Sequence, residues 1–173
     1  MDLVRCYALV EAYFTENRVP FALCGGLAMA AYGYPTPTFD VDIVTLAETQ
    51  EAFVRYLAAH GFTTLHRSEA FSNHLHRELG RVDAVYVRGR TAEALFARCW
   101  RLPGPGGVLA PVVAPEHLAA MKLASVRDDP SRLPGEKLAL AFLLRLASAD
   151  RVAMEAAFRR YGFGALWDEL VRG

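Results

Sequence analysis

Asp40 and Asp42 stand one residue apart in the segment FDVDIV, and Asp83 stands alone in RVDAVYV. Both segments alternate as β-strands do, so Asp40 and Asp42 point to one face while Phe39, Val41 and Ile43 point to the other. Asp83 shares a face with Val85 and Val87, opposite Val82, Ala84 and Tyr86. Aspartate is disfavoured in strands. Two carboxylates on one face, roughly 6.5–7 Å apart at the backbone, repel each other unless a cation or hydrogen-bond donors lie between them. Taken alone, a D-x-D is most simply the wet face of a sheet. If the strand carrying Asp83 lies beside it, three hard oxygen ligands meet at one place. That set suits Mg²⁺, held jointly by carboxylates, water and substrate phosphates, and two such ions serve in-line attack at phosphorus.

Gly25 and Gly26, in CGGLAMAAYG, supply the complementary half. They fall between the apolar run PFAL and a short Ala-rich helix, where backbone N–H groups of a helix start bind anions with no side chain in the way. On its own the pair is equally a tight strand-to-helix turn. Beside a carboxylate cluster it marks a place for phosphate.

The elements that must position these residues follow from periodicity. Leu3, Tyr7, Val10 and Phe14 recur at helical spacing, which predicts a helix over residues 2–17. The prolines of YPTPT predict a turn before FDVDIV. ETQEAFVRYLAAH reads as a helix, FTTLHR, SNHLHREL and RVDAVYVR as strands, the last two joined by a two-residue turn around Gly80. TAEALFARCW reads as a helix with Thr91 as its N-cap, and PGPGGVLAPVVAP as a loop holding one short strand. From Glu116 onward the pattern is helical throughout, broken by Pro130, Pro134 and Gly162. We therefore expect an α/β part over residues 1–113 and a C-terminal helical segment, 114–173, packed on it.

Composition bounds the rest. With 173 residues, 53% apolar and 22% charged, the chain is of ordinary globular make-up. Lys plus Arg and Asp plus Glu are 19 each, so no global field points to nucleic acid or an anionic membrane. Three widely spaced cysteines, Cys6, Cys24 and Cys99, match neither a disulfide framework nor a zinc site and read as buried thiols. The early charges of MDLVRCYALVEAYFTENRV do not make a secretory signal, and we expect a cytoplasmic protein without membrane spans.

In these motifs the chain resembles the nucleotidyltransferase superfamily, with its polymerase-beta-like fold, and within it the small bacterial AbiEii-like toxin and lincosamide nucleotidyltransferase groups. The shared signature is a glycine pair opening a helix, here Gly25-Gly26, then D-x-D on the next strand, here Asp40 and Asp42, then a third acid, here Asp83. The resemblance implies an α+β fold with a mixed central sheet flanked by helices. It implies transfer of a nucleoside monophosphate from an NTP to an acceptor hydroxyl on a small molecule, a tRNA or a protein. Asp40, Asp42 and Asp83 would be the catalytic and metal-binding residues for one or two Mg²⁺ ions, and Gly25 and Gly26 would hold the terminal phosphates. In APEHLAAMKLASVRDDP, Lys122 would neutralise nucleotide charge; a solvent-facing Lys on an amphipathic helix is an equal reading. The turn PTPTF lacks the Arg that these groups often place before D-x-D.

Two other readings stay open: a degenerate relative that binds a nucleotide or partner without catalysis, and an interaction module such as one member of a toxin–antitoxin pair. His74, His76 and Glu78 share one strand face, which the two-residue turn would set beside Asp83; an exposed hairpin face is the simpler reading. Phe142, Leu143, Leu146, Met154, Phe158 and Trp167 read as core, and Phe163, Leu166 and Leu170 as core or as the surface of a homodimer or an antitoxin-like partner.

Overall fold

A computed structural model describes residues 2–35 and 37–172. The chain divides into two compact units, Met1–Val113 and Ala114–Gly173.

The first unit opens with helix α1 (Leu3–Asn17), whose start is capped by Asp2, its carboxylate accepting from the Arg5 N–H at 3.0 Å. Cys6, Tyr7, Val10, Tyr13 and Phe14 form its buried stripe. Strand β1 (Phe21–Leu23), helix α2 (Gly25–Ala31) and strand β2 (Asp40–Leu46) follow. The turn expected over residues 34–38 includes Thr36, which lies outside the described residues. Next come α3 (Gln50–Ala59), β3 (Thr63–Arg67), β4 (Phe71–His76), β5 (Gly80–Val87), α4 (Gly89–Phe96), β6 (Trp100–Pro103) and β7 (Leu109–Val112).

Among the described residues the strands form one sheet in the order β3-β4-β5-β2-β1-β7-β6. It is mixed: β2–β5 and β1–β7 are parallel, and the other neighbours are antiparallel. One face carries Val41, Ile43, Val82, Ala84 and Tyr86, all buried. An aromatic cluster lies under it: Phe53 of α3 packs on Phe14 at 4.9 Å and on Tyr13 at 5.1 Å between ring centroids. The opposite face carries the acids, and α2 lies against β2.

Two local expectations are corrected. Thr91 is not an N-cap: α4 begins at Gly89, after an extended Arg88, with Gly89 at φ 55°. Trp100–Pro103 is strand rather than helix end and loop, because it pairs antiparallel with β7 across a turn whose Gly106 and Gly107 adopt positive φ.

In the second unit, α5 (Pro115–Asp128), α6 (Leu133–Arg145), α7 (Arg151–Arg160) and α8 (Gly164–Arg172) form a helical assembly. Pro134 opens α6 instead of breaking it, since the first helical turn needs no N–H from that residue. Leu143, Met154 and Phe158 are fully buried, and Phe158 meets Trp167 edge-on at 5.4 Å. Among the described residues no helix is long and apolar enough to cross a membrane.

Candidate active site

The parallel pairing of β2 with β5 aligns Asp42 with Asp83 and Asp40 with Arg81. Cross-strand partners point to the same face, about 4.8 Å apart at the backbone, so Asp40, Asp42 and Asp83 share one face. Arg81 shares it with them.

Each acid is held differently. The Asp83 carboxylate accepts at one oxygen, Oδ1, from Arg81 Nε at 2.7 Å and from Asn73 Nδ2 at 3.2 Å. Asp42 accepts at Oδ2 from the Gly26 N–H at 3.3 Å. The glycine pair makes that approach feasible. A Cβ on Gly25 would lie 2.8 Å from Asp42 Cβ and closer still to its carboxylate, and one on Gly26 would lie 2.8 Å from Thr38 Cβ. Gly25 also has φ 55°, which a side chain would strain.

The charges feel one another. Asp40 is pushed above the ordinary carboxylate range, first by partial burial and then by Asp83, with Arg81 opposing. The Arg81 guanidinium is held in its charged form first by the hydrogen bond to Asp83, with Asp40 and Asp42 adding to it. An arginine thus lies within the field of all three acids.

Three carboxylates on adjacent strands are the donor set that Mg²⁺ takes, and in that chemical sense they fit it. Among the described residues, no three His, Cys, Asp or Glu side chains are arranged as a metal-holding group as they stand. Asp83 is turned to Arg81 and Asn73, and Asp42 to Gly26.

The histidines do not join the acids. A three-residue connection, Arg77 to Leu79, joins β4 to β5, so His76 pairs with Gly80, His74 with Val82, and Asn73 with Asp83. The two-residue turn expected from the sequence is one residue too short, and a one-residue slip turns every side chain to the other face. His74 is fully buried on the core side, bonded through Nδ1 to Thr64 at 3.0 Å and through Nε2 to Ser72 at 2.8 Å, with Ser72 bonded in turn to Tyr86. His76 Nδ1 accepts the N–H groups of Glu78 and Leu79 and closes the loop.

Lys122 lies on α5 in the second unit, with its Nζ 2.7 Å from Glu136, and both side chains are only about one-seventh exposed. Glu136 also takes Arg132 at 3.2 Å. Lys122 is therefore not a solvent-facing residue. Arg81 and Asn73 were missed in the sequence. The first had a visible signal, an R-x-D spacing that places it on the face of Asp83; the second depended on hairpin register.

The chain is similar in structure to ANT(2″)-Ia, solved in complex with adenylyl-2″-tobramycin, with TM-score 0.67 and 14% identity over 92% of this chain and 98% of that one. It is also similar to an antigenic nucleotidyltransferase-like protein from Paracoccidioides brasiliensis, with TM-score 0.54 and 13% identity over 98% of this chain and 92% of that one. A third likeness is to the lincosamide antibiotic adenylyltransferase LnuA, lincomycin-bound, with TM-score 0.50 and 16% identity over 66% of this chain and 82% of that one. Neither a family model nor a curated protein sequence matches the chain. The chain has the α+β nucleotidyltransferase fold.

Proposed function

We propose that this protein is a Mg²⁺-dependent nucleotidyltransferase, moving a nucleoside monophosphate from an NTP to an acceptor hydroxyl with pyrophosphate as leaving group. The observation that supports it most is the β2–β5 register, which puts Asp40, Asp42 and Asp83 on one face beside a glycine pair. In this reading Asp40 and Asp42 hold the metal against the triphosphate. Asp83 takes a second ion or receives the proton of the acceptor hydroxyl. Bound Mg²⁺ supplies positive charge that offsets both the repulsion among the acids and the charge of the phosphates.

Gly25 and Gly26 bring backbone close to Asp42, and we assign them to the terminal phosphates. The Gly26 N–H donates to the Asp42 carboxylate, an anionic partner, and this is consistent with that assignment. Lys122 enters the proposal as a charge for the nucleotide that has to be shared with Glu136.

A small-molecule acceptor comes first, ahead of a tRNA end. The structural neighbours include one holding adenylyl-2″-tobramycin and one bound to lincomycin, and a formal net charge of zero offers no general attraction for a polyanion. The test is incubation with each NTP, Mg²⁺ and a panel of aminoglycosides, lincosamides and total tRNA, followed by mass spectrometry of the acceptors. An acceptor that gains a nucleoside monophosphate with wild type and not with Asp42→Asn supports the proposal.

A second reading, nucleotide binding without transfer, draws on the engagement of Asp83 by Arg81 and Asn73. It predicts metal-dependent NTP binding with no adduct on any acceptor.

A further inference from the structure

Two donors meet the same oxygen of Asp83, and they differ in kind. Asn73 is a neutral amide, 7% exposed, fixed in the middle of β4. Arg81 carries a full charge, lies one residue from the start of β5, and has a side chain 39% exposed. An amide donor to a carboxylate is compatible with a cation on the other oxygen, as in the outer-sphere contacts that orient metal ligands. A guanidinium is not equally compatible. It already neutralises the acid, and it repels a dication brought to the same carboxylate.

The cross-strand register adds a second point. Arg81 is the partner of Asp40 on β2, so its charge stands beside both ends of the acidic cluster. The turn before β2 has no arginine, whereas β5 supplies one from the other side.

We infer that Arg81 is a built-in counter-cation of the carboxylate cluster, which competes with the divalent metal for Asp83 and swings toward solvent when the metal binds, while Asn73 stays and orients the acid. This rests on the proposed metal-dependent function and concerns the regulation of that same site. The competition sets a threshold: the protein's own charge holds the acids together at low metal, and metal loading requires the Arg81–Asp83 bond to open. The longest-reaching consequence is for the metal–nucleotide complex. Once displaced, the same guanidinium faces phosphate oxygens, to which its forked donors are suited.

The test uses the full chain and Mn²⁺ alone as probe, followed by electron paramagnetic resonance or calorimetry, without nucleotide. Arg81→Gln is expected to bind Mn²⁺ about tenfold or more tightly than wild type, the effect of removing a positive charge that competes with a dication for the same carboxylate. Arg81→Lys, which keeps the charge, is expected to stay near wild type. Asp83→Asn is expected to weaken binding in either background. Melting supplies a check that tolerates a less stable variant: in EDTA Arg81→Gln melts below wild type, and Mn²⁺ raises its Tm by more than it raises that of wild type. Equal or weaker Mn²⁺ affinity in Arg81→Gln, with wild type binding at an Asp83-dependent site, overturns the inference and leaves the proposed function standing. Absence of Asp83-dependent Mn²⁺ binding in both proteins overturns the two together.

Discussion

The Asp42 carboxylate occupies the space that a side chain on Gly25 would need. The glycine pair is thus required by the acid as well as by the turn. Gly25→Ala puts a Cβ into that carboxylate and strains a residue at φ 55°. It should cost about 1–3 kcal/mol of stability, within the range for strained positions and overpacking, and should weaken Mn²⁺ binding with it. Gly26→Ala meets Thr38 instead, so Thr38→Gly should restore much of its loss in a denaturant titration while leaving Gly25→Ala unrescued.

Asp40 is protonated more readily in the fold than in the unfolded chain, because burial and Asp83 oppose its charge. The folded state therefore binds the extra proton, and stability falls as pH rises from the ordinary value of 3.8 through the raised one, then levels. At neutral pH, Asp40→Asn removes that penalty. Its Tm in EDTA should rise slightly above that of wild type, while on the proposed function nucleotidyl transfer should be lost.

His74 titrates the other way. Burial holds its pKa below the ordinary 6.5, with Arg67 acting in the same direction and Asp83 against it. The unfolded chain takes up the proton first as pH falls. Stability from this residue is full above 6.5 and declines below it, down through the lowered folded value. Urea midpoints measured from pH 7.5 to 5 should show a slope in wild type that is flatter in His74→Gln.

Lys122 and Glu136 form a pair that is mostly out of water. Truncating either should be felt, but not equally: Lys122→Met leaves Glu136 with Arg132, whereas Glu136→Gln leaves Lys122 without its carboxylate. We expect Glu136→Gln to destabilise more, by about 1–3 kcal/mol. A nucleotide role for Lys122 adds a second signature, a fall in kcat/KM for the NTP in Lys122→Met that Glu136→Gln does not share.

Burial, with Asp2 and Asp40 adding to it, pushes the Cys6 thiol up to about 12, and burial pushes Cys99 up to about 11. At pH 8 neither supplies thiolate. Iodoacetamide should leave both unmodified in the native protein and alkylate both in guanidinium, as read by peptide mass.

Much of the site was legible because its parts are local. Asp40 and Asp42 lie in one strand, alternation assigned Asp83 its face without knowledge of the partner strand, and the glycine pair sits in continuous sequence with both neighbours. What was not legible depended on register. Whether Asn73 or a histidine meets Asp83 turns on the register between β4 and β5, and SNHLHRELGR alternates acceptably in more than one register. β6 was hidden for a different reason: Trp100 follows a helical run with no glycine or proline between them, and only pairing with β7 makes it a strand. Arg81 carried only its R-x-D spacing, which at a strand start is equally that of an exposed surface cation, and only the fold shows it paired with Asp83.

The central claim is tested most directly by the fate of the label in an NTP, with Mg²⁺ and an acceptor from the panel that becomes modified. Transfer through Asp40, Asp42 and Asp83 predicts that α-labelled phosphorus moves to the acceptor while γ-labelled phosphorus leaves as pyrophosphate, both abolished in Asp42→Asn. Movement of the γ label to the acceptor, or α-label transfer that survives Asp42→Asn, would contradict it.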